Sequence, residues 1–336
     1  MKVRKLVVPV TATLAVCGVL GAAPAAGQAR LAVAPTWTEQ APATHPLGRS
    51  GAAMAYDAAT GTAVLFGGVG GRLKILKFAD TWTWDGSTWT KQAPTAHPPP
   101  LVGTGMAYDA ATRTAVLFGG ASVKTGRDAG GTWTWDGSTW AKQAPAASPS
   151  PRDGASMAYD AATGTVVLFG GFAQTTGLYL HDTWTWDGST WTKQAPAASP
   201  PAWGAAGMAY DAATHSVVLF GGPNGDTWTW NGSTWAKQAP AASPSPRAGA
   251  GMAYDAATGT VVLFGGIGYS TGRYLGDTWT WDGTTWTRQN PAASPATGVN
   301  PAMAYDAATG SVVLFGGYTG RGPRPYHYHK GTWTWG

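Results

Sequence analysis

Residues 54–68 read Met-Ala-Tyr-Asp-Ala-Ala-Thr-Gly-Thr-Ala-Val-Leu-Phe-Gly-Gly. The opening tetrad recurs six times along the chain, with spacings of 52, 51, 51, 44 and 51 residues. Its first residues are Met54, Met106, Met157, Met208, Met252 and Met303. Periods near 50 residues are typical of propellers and solenoids, so the sequence predicts six copies of one structural unit.

Each unit is predicted to contain four strands, a to d. In the first unit, strands a and b lie on either side of the turn at residues 57–61, where Gly61 suits a positive φ. Strand c alternates Thr and Trp over residues 81–84, and Asp85-Gly86 is a strong signal for a two-residue hairpin. Strand d follows over residues 87–92 and ends before Pro94.

The predicted hairpin fixes a register. A two-residue loop pairs Trp84 with Ser87 and places Trp82 opposite Trp89. The same three Trp positions recur in every unit and hold 18 of the 19 tryptophans, with Trp203 as the exception. We therefore expect these tryptophans to pack between units rather than form a ligand cage.

An apolar strand, a Gly-Gly pair such as Gly67-Gly68 and a Trp spacing like that of Trp82 and Trp89 resemble the kelch repeat. The resemblance covers nearly the whole chain after its first residues. It implies an all-β fold, namely a six-bladed kelch-type β-propeller with four antiparallel strands per blade, similar to the central domain of galactose oxidase.

The two ends of the repeat region complement each other. Residues 36–42 are a strand d without a strand c, and residues 332–336 are a strand c without a strand d. We expect the N-terminal strand d to pair with the C-terminal strand c and to close the ring, with Trp37 opposite Trp333. The predicted organisation is a signal peptide at 1–29, a short segment at 30–35 and the propeller at 36–336.

The first residues have the pattern of a secretory signal. A basic start precedes the apolar segment 6–21, and small residues at 23–25 or 27–29 suit cleavage. The expected location is therefore extracellular. Val16 is too large for the residue before a lipoprotein cysteine, which argues against lipid anchoring at Cys17.

Composition limits the partners. The formal net charge of +5 falls to about +2 without Lys2, Arg4 and Lys5, and no run of Lys or Arg occurs. We therefore expect no nucleic-acid partner, and no stretch beyond the signal is apolar enough for a membrane span. We expect a monomer whose partner, if any, is a glycan or a protein.

All length variation among the units lies in the b–c loop, which has 11, 10, 10, 3, 10 and 13 residues in units one to six. The d–a connections leave the sheets on the same side as these loops, so that face is the predicted binding face. The short loop of unit four suggests a notch beside Trp203 that could stack on a sugar or peptide. Its predicted neighbours are Tyr179, His181, Tyr269, Arg273 and Tyr274. The alternative is that Trp203 only covers the protein surface.

The position five residues before each Met alternates between arginine and an uncharged residue. The arginines are Arg49, Arg152 and Arg247. Three guanidinium groups around a six-fold ring could bind a carboxylate or phosphate. The alternative is a packing role, with these arginines bonded to backbone carbonyls at the strand start.

His327 and His329 form the one histidine cluster and are weak candidates for metal ligands, because two ligands are too few for a structural zinc site. We expect no cofactor. Galactose-oxidase chemistry needs a cysteine linked to a tyrosine, and the only cysteine, Cys17, lies in the predicted signal.

A non-catalytic binding propeller is the expected function, and we expect no enzyme activity. The alternative is a carbohydrate-active enzyme similar to the six-bladed kelch mutarotases of sialic acid, whose chemistry implies a carboxylate base with arginines. Among the aspartates, only Asp128 and Asp153 lie outside the repeated positions, and Asp153 follows Arg152. This pair of neighbours is a weak signal for catalysis.

Overall fold

The computed structural model describes residues 34–122, 124–320 and 327–336. The predicted signal peptide at 1–29 lies outside the described residues. The described part of the chain contains 35 β-strands. No helix in it is long and apolar enough to cross a bilayer.

The strands follow the repeat, with four longer strands per unit and short ones in the loops. Up to the end of unit one they are β1 (Trp37–Gln40), β2 (Arg49–Ser50), β3 (Ala53–Asp57), β4 (Thr62–Phe66), β5 (Val69–Gly70), β6 (Leu76–Lys77), β7 (Thr81–Trp84) and β8 (Trp89–Gln92). Unit two has β9 (Leu101–Val102), β10 (Gly105–Asp109), β11 (Thr114–Phe118), β12 (Ala121–Ser122), β13 (Thr132–Trp135) and β14 (Trp140–Lys142). Unit three has β15 (Ser156–Asp160), β16 (Thr165–Phe169), β17 (Phe172–Ala173), β18 (Leu178–Tyr179), β19 (Thr183–Trp186) and β20 (Trp191–Gln194).

The remaining units repeat this order. Unit four has β21 (Gly207–Asp211), β22 (Ser216–Gly221), β23 (Asp226–Trp230) and β24 (Trp235–Lys237). Unit five has β25 (Arg247–Ala248), β26 (Gly251–Asp255), β27 (Thr260–Phe264), β28 (Ile267–Gly268), β29 (Thr278–Trp281) and β30 (Trp286–Gln289). Unit six has β31 (Ala302–Asp306), β32 (Ser311–Phe315), β33 (Tyr318–Thr319), β34 (His327–Tyr328) and β35 (Thr332–Trp335).

The longer strands form six antiparallel sheets of four strands each within the described residues. Their orders are β3-β4-β7-β8, β10-β11-β13-β14, β15-β16-β19-β20, β21-β22-β23-β24, β26-β27-β29-β30 and β31-β32-β35-β1. The chain is therefore an all-β protein of the β-propeller type. In the last sheet, the N-terminal strand β1 pairs with the C-terminal strand β35.

The hydrophobic core lies between neighbouring sheets. Strand b is buried on both faces, as its unbroken apolar sequence predicts. Val64 and Phe66 of unit one pack against Leu117 and Trp140 of unit two. Equivalent clusters join the other neighbouring sheets, and one of them joins unit six to unit one.

The c–d register differs from the prediction. Trp84 pairs with Trp89, and Trp82 pairs with Lys91, so the predicted Trp82–Trp89 pair is wrong. The loop has four residues rather than two, because the Asp85 carboxylate accepts hydrogen bonds from the backbone N–H groups of Ser87 and Thr88 at 2.9 and 2.7 Å. This Asx turn offers the backbone an alternative to a tight hairpin.

The same register holds where the chain ends meet. Trp37 lies opposite Trp335, so the predicted pairing of Trp37 with Trp333 is wrong. The residue opposite Trp333 is Glu39. The indole of Trp37 donates a 2.8 Å hydrogen bond to Oγ1 of Thr278 in unit five. Every strand-d tryptophan makes this bond to the first strand-c threonine of the preceding unit. The other pairs are Trp89–Thr332, Trp140–Thr81, Trp191–Thr132, Trp235–Thr183 and Trp286–Thr227.

The d–a connections and the b–c loops lie together on one face, which we call the loop face. Short ladders join them, for example β2 with β5 and β25 with β28. The a–b and c–d turns form the opposite end, which we call the turn face. This geometry supplies the platform on which the candidate site is built.

Candidate functional site

Six residues, one from each unit, form a closed ring of backbone hydrogen bonds on the loop face. They lie three residues before each repeated Met and are Gly51, Gly103, Gly154, Ala205, Gly249 and Asn300. Each N–H donates to the carbonyl of the equivalent residue in the preceding unit, and Gly51 donates to Asn300, at 2.7–3.1 Å. We call this ring the collar.

The local conformation explains the collar sequence. All six residues have φ between +53° and +67°, a region that glycine enters without steric cost. Ala205 and Asn300 show that the position also accepts a small side chain and an asparagine. Sequence reasoning missed this ring, although small or turn-forming residues at a fixed distance before each Met were a visible signal.

A cavity of about 370 Å³ lies at the collar and is lined by residues of all six units. We call it the axial pocket. Most of its lining side chains are small, such as Ala52, Thr104 and Ala155. Its one ionisable lining residue among those described is Asp153. A side chain from unit three therefore breaks the symmetry of a pocket that all six units build.

Asp153 is positioned by the backbone of its own unit. Its N–H donates to the carbonyl of Phe172 at 3.0 Å, and its carbonyl accepts from the N–H of Phe172 at 2.8 Å. Burial raises the pKa of its carboxyl group from the ordinary 3.8 to about 6, and the nearby Asp128 carboxylate adds to the effect. A carboxyl group with such a pKa changes its protonation state close to neutral pH.

Asp128 comes from the b–c loop of unit two. One carboxylate oxygen accepts a hydrogen bond from the backbone N–H of Gln174 at 2.6 Å, and this bond links the loops of units two and three. Its other oxygen is buried without a hydrogen-bond partner among the described residues. The structure thus brings together the two aspartates that lie outside the repeated positions.

The three arginines singled out by their alternation are buried, each with 1% of its surface exposed. Arg152 binds both carboxylate oxygens of Asp182, at 2.6 and 3.0 Å, and its other N–H groups bind the Gly170 carbonyl and two oxygens of Ser150. Arg247 and Arg49 pair in the same way with Asp277 and Asp80. This geometry argues against the predicted contact with a ligand.

These arginine–aspartate pairs hold the b–c loops of units one, three and five. Burial opposes ionisation of Asp182, but hydrogen bonds from Arg152 and Trp184 outweigh it and lower the pKa of its carboxyl group. Unit two, with a loop of equal length to that of unit three, has Leu101 and Gly131 at the two positions. Units two and six therefore lack both members of the pair, whereas unit four has Trp203 in place of the arginine and keeps Asp226, which pairs with Lys237.

Trp203 does not line an open notch, and that prediction is wrong. Only 2% of its surface is exposed, and it packs on Phe169 in the core between units three and four. It occupies the position held by arginine in the odd units. A Cβ atom on Gly222 would lie 2.4 Å from its ring, so glycine there makes room for the indole.

Tyr179 is the predicted residue that lies beside the axial pocket. The residue is 51% exposed, and the centroid of its ring lies 5.2 Å from that of Phe172, the backbone partner of Asp153. Its edge also approaches Gly204, the neighbour of the collar residue Ala205. The exposed side chain of Tyr179 therefore packs on the residue that holds the backbone of Asp153.

The other predicted residues lie elsewhere. Tyr269 and Arg273 are exposed in the loop of unit five. Tyr274 donates to the Gly320 carbonyl at 2.9 Å and packs edge-on against Tyr318, so it joins the loops of units five and six. His181 lines a separate cavity of about 410 Å³ with Lys193 of strand d.

The two histidines of unit six line a groove of about 570 Å³ with Arg72 of unit one. His327 is exposed, whereas burial lowers the pKa of His329, whose Nε2 lies 3.1 Å from the Thr297 carbonyl oxygen. Within the described ranges, no cluster of three or more His, Cys, Asp or Glu side chains suited to a metal occurs.

Comparison with known proteins supports the fold. No family model and no curated protein matches the chain. Solved structures do match, and one of them is that of a protein named YjhT. It is 15% identical to this chain, covers 85% of it and 95% of its own length, and superposes with a TM-score of 0.62. At this identity the similarity establishes the fold alone.

Proposed function

We propose that the protein is a secreted, six-bladed kelch-type propeller that binds a sugar in the axial pocket. Three features support six blades and a closed ring. They are the six sheets, the cyclic set of Trp–Thr bonds and the collar. The repeat resembles that of kelch proteins, and the basic and apolar first residues support secretion.

The chemistry of the axial pocket supports a ligand rich in hydrogen-bond donors. All six N–H groups of the collar are used within the ring, so the collar leaves carbonyl oxygens with spare lone pairs. The Asp153 carboxylate is a further acceptor above its pKa of about 6. Hydroxyl groups of a neutral sugar, or the ammonium group of an amino sugar, supply the matching donors.

The size and rim of the pocket suit the same ligand class. Its volume of about 370 Å³ lies at the low end of ligand pockets, which run from about 300 to 1,000 Å³. The exposed ring of Tyr179 offers an apolar face against which a pyranose ring could stack. The observation on which the proposal depends is the single acidic residue, Asp153, among the residues of all six units that line the axial pocket.

A glycan array of neutral and amino sugars, followed by calorimetry of the hits, tests this proposal. Replacing Asp153 by valine, the residue that units two and six have at this position, should weaken binding by about 10- to 100-fold. The matched control Val102→Ser changes the equivalent position of unit two and should leave affinity within about threefold. Equal affinity of wild type and Asp153→Val, or no bound sugar at all, contradicts the proposal.

The raised pKa of Asp153 also favours a second candidate, an enzyme of the mutarotase-like type. A carboxyl group with a pKa of about 6 suits a general base near neutral pH. The arginines implied by that resemblance are tied up in ion pairs away from the pocket, which is why binding is the first proposal. Exchange between sugar anomers, followed by NMR with wild type and Asp153→Asn, separates the two: acceleration lost in the variant supports the enzyme.

A further inference from the structure

The charged side chains are divided between the two faces of the propeller. Ten aspartates lie in the turns of the turn face, six of them buried in the a–b turns and four exposed in the c–d turns, together with one cation, Arg113, among the described residues. The loop face has the opposite character once the internal ion pairs are set aside. It then keeps two acids, Asp128 and Asp153, and seven exposed cations: Arg72, Lys74, Lys77, Lys124, Arg127, Arg273 and Lys330.

Exposed apolar side chains concentrate on the same face. All six large hydrophobic side chains that are exposed in the described part of the chain belong to the loop face. They are Leu47, Leu73, Ile75, Leu178, Tyr179 and Tyr269. Exposed apolar groups collected on one side of a soluble domain indicate an interaction surface.

Exposed cations and exposed apolar side chains lie closest together in the hairpin of unit one, residues 69–77. Strands β5 and β6 pair there, and the chain between them projects Leu73 with 70% and Ile75 with 47% of their surfaces exposed. The exposed cations Arg72, Lys74 and Lys77 alternate with these apolar side chains. Apolar side chains flanked by cations are the pattern that enters the interface of an anionic bilayer.

The groove beside this hairpin extends the pattern. Its volume is about 570 Å³, and its lining combines the cations Arg72 and Lys330 with the apolar side chains of Leu47 and Leu76. An anionic lipid headgroup with the start of its acyl chains has both of these chemical characters. The acidic turn face, at the other end of the molecule, would point away from the lipid.

We propose that the loop face docks on a lipid surface that carries anionic headgroups, with the hairpin at 69–77 inserted into the interface. Charge complementarity selects the anionic surface, and the exposed Leu73 and Ile75 select a bilayer over a soluble polyanion. This inference concerns the periphery of the loop face. It does not depend on a sugar in the axial pocket.

Co-sedimentation with vesicles tests the proposal. The probes are vesicles of pure phosphatidylcholine and vesicles in which one quarter of the lipid is phosphatidylglycerol. We expect binding to the anionic vesicles only, weakened by added salt. The triple variant Arg72→Gln, Lys74→Gln, Lys77→Gln should lower the partition coefficient about a hundredfold. The double variant Leu73→Ser, Ile75→Ser should lower it about tenfold or more.

The control removes the same charge elsewhere. Lys91→Gln, Lys142→Gln, Lys193→Gln changes three exposed cations of the outer strands and should leave binding within about threefold. An equal loss in this control would mean that net charge alone acts, and would overturn the proposal. So would equal binding to both kinds of vesicle, or binding to heparin without binding to vesicles. Far-UV spectra and melting curves check that each variant is folded.

Discussion

At the scale of single residues, the buried arginines show how a repeat can exchange one interaction for another. Arg152 and Asp182 form a buried, two-pronged ion pair in unit three, whereas unit two has Leu101 and Gly131 in a loop of the same length. Replacing a buried ion pair by apolar residues is often neutral, but removing one partner leaves an uncompensated charge. The protein thus contains both solutions in neighbouring units.

Arg152→Leu alone should therefore destabilise the protein by about 3–5 kcal/mol. The double variant Arg152→Leu, Asp182→Gly copies unit two and should recover more than half of that loss. Urea unfolding of the wild type, both single variants and the double variant gives the coupling free energy. If the loss of unfolding free energy in the double variant equals the sum of the losses in the two single variants, the two residues do not act as a pair.

Asp153 makes a prediction about pH. Its pKa is higher in the folded protein, about 6, than the ordinary 3.8 of an unfolded chain. The folded state therefore binds the extra proton, and stability falls as pH rises from about 4 to about 6. Asp153→Asn cannot ionise, so its free energy of unfolding should exceed that of the wild type above pH 7. Because solvent screens the half-buried carboxylate, the expected difference is about 1–2 kcal/mol.

The difference between Asp153→Asn and wild type should disappear below pH 4, where both side chains are neutral. Denaturant unfolding of the two proteins across pH 4–8 provides the measurement, and Asp226→Asn serves as a control with an exposed lysine partner. A constant difference at all pH values would show that the effect of the substitution is not electrostatic.

The sequence could predict Asp153 and Asp128 as exceptions to the repeat but not their meeting. They are 25 residues apart and come from different units, so their proximity depends on how neighbouring units pack. The packing role given as the alternative for the arginines is confirmed by their bonds to backbone carbonyls, but their aspartate partners could not be predicted. Asp182 lies 30 residues after Arg152, beyond a whole hairpin and a loop, and no local pattern connects them.

At the scale of the element, the c–d turn shows a limit of local motifs. Asp-Gly is a strong signal for a two-residue hairpin, yet the loop has four residues in each complete unit. The side chain of the aspartate, or of Asn231 in unit four, bonds to the backbone there. The strands themselves, their order and their alternation were predictable, since burial and turn residues repeat six times. The register was not, because one side-chain acceptor changes it.

The turn provides its own test. In unit two, Asp136 accepts hydrogen bonds from the N–H groups of Ser138 and Thr139 and from the Ser138 hydroxyl. Asp136→Ala should cost about 1–2 kcal/mol because these bonds are lost. Asp136→Asn should be nearly neutral, since unit four already uses Asn231 in this role. The measurement is the melting temperature of each variant. Equal melting temperatures for Asp136→Ala and Asp136→Asn would exclude these side-chain hydrogen bonds as the cause of the register.

At the scale of the whole molecule, the start and the end of the repeat region, Thr36 and Gly336, occupy the place of a c–d turn. The N–H of Thr36 donates to the carbonyl of Gly336, and the N–H of Gly336 donates to the carbonyl of Thr36, both at 3.3 Å. Complete units have four residues between the paired tryptophans, whereas here only Gly336 and Thr36 remain. A covalent link of two residues would restore the usual loop length.

A circular permutant of residues 36–336 tests this arrangement. It joins Gly336 to Thr36 through two residues and opens the exposed loop between Ser270 and Thr271. It should fold and melt at or above the wild-type temperature, by about 2–4 °C for each kcal/mol gained from the link.

Deletion of residues 36–42 tests the same closure by removing β1. It should lower the melting temperature and promote aggregation through the exposed edge of β35. A deletion variant that stays monomeric with unchanged melting would contradict closure by β1.

The collar has a direction as well as a position. Every N–H in it points the same way around, from one unit to the unit before, so the six peptide groups form a homodromic cycle. Such a cycle has no first or last bond, and each bond polarises the next. Its amides should therefore exchange with deuterium as one set, with a common opening free energy, rather than fray one after another from an end. Native-state hydrogen exchange of Gly51, Gly154 and Asn300 would report whether the ring opens as a unit.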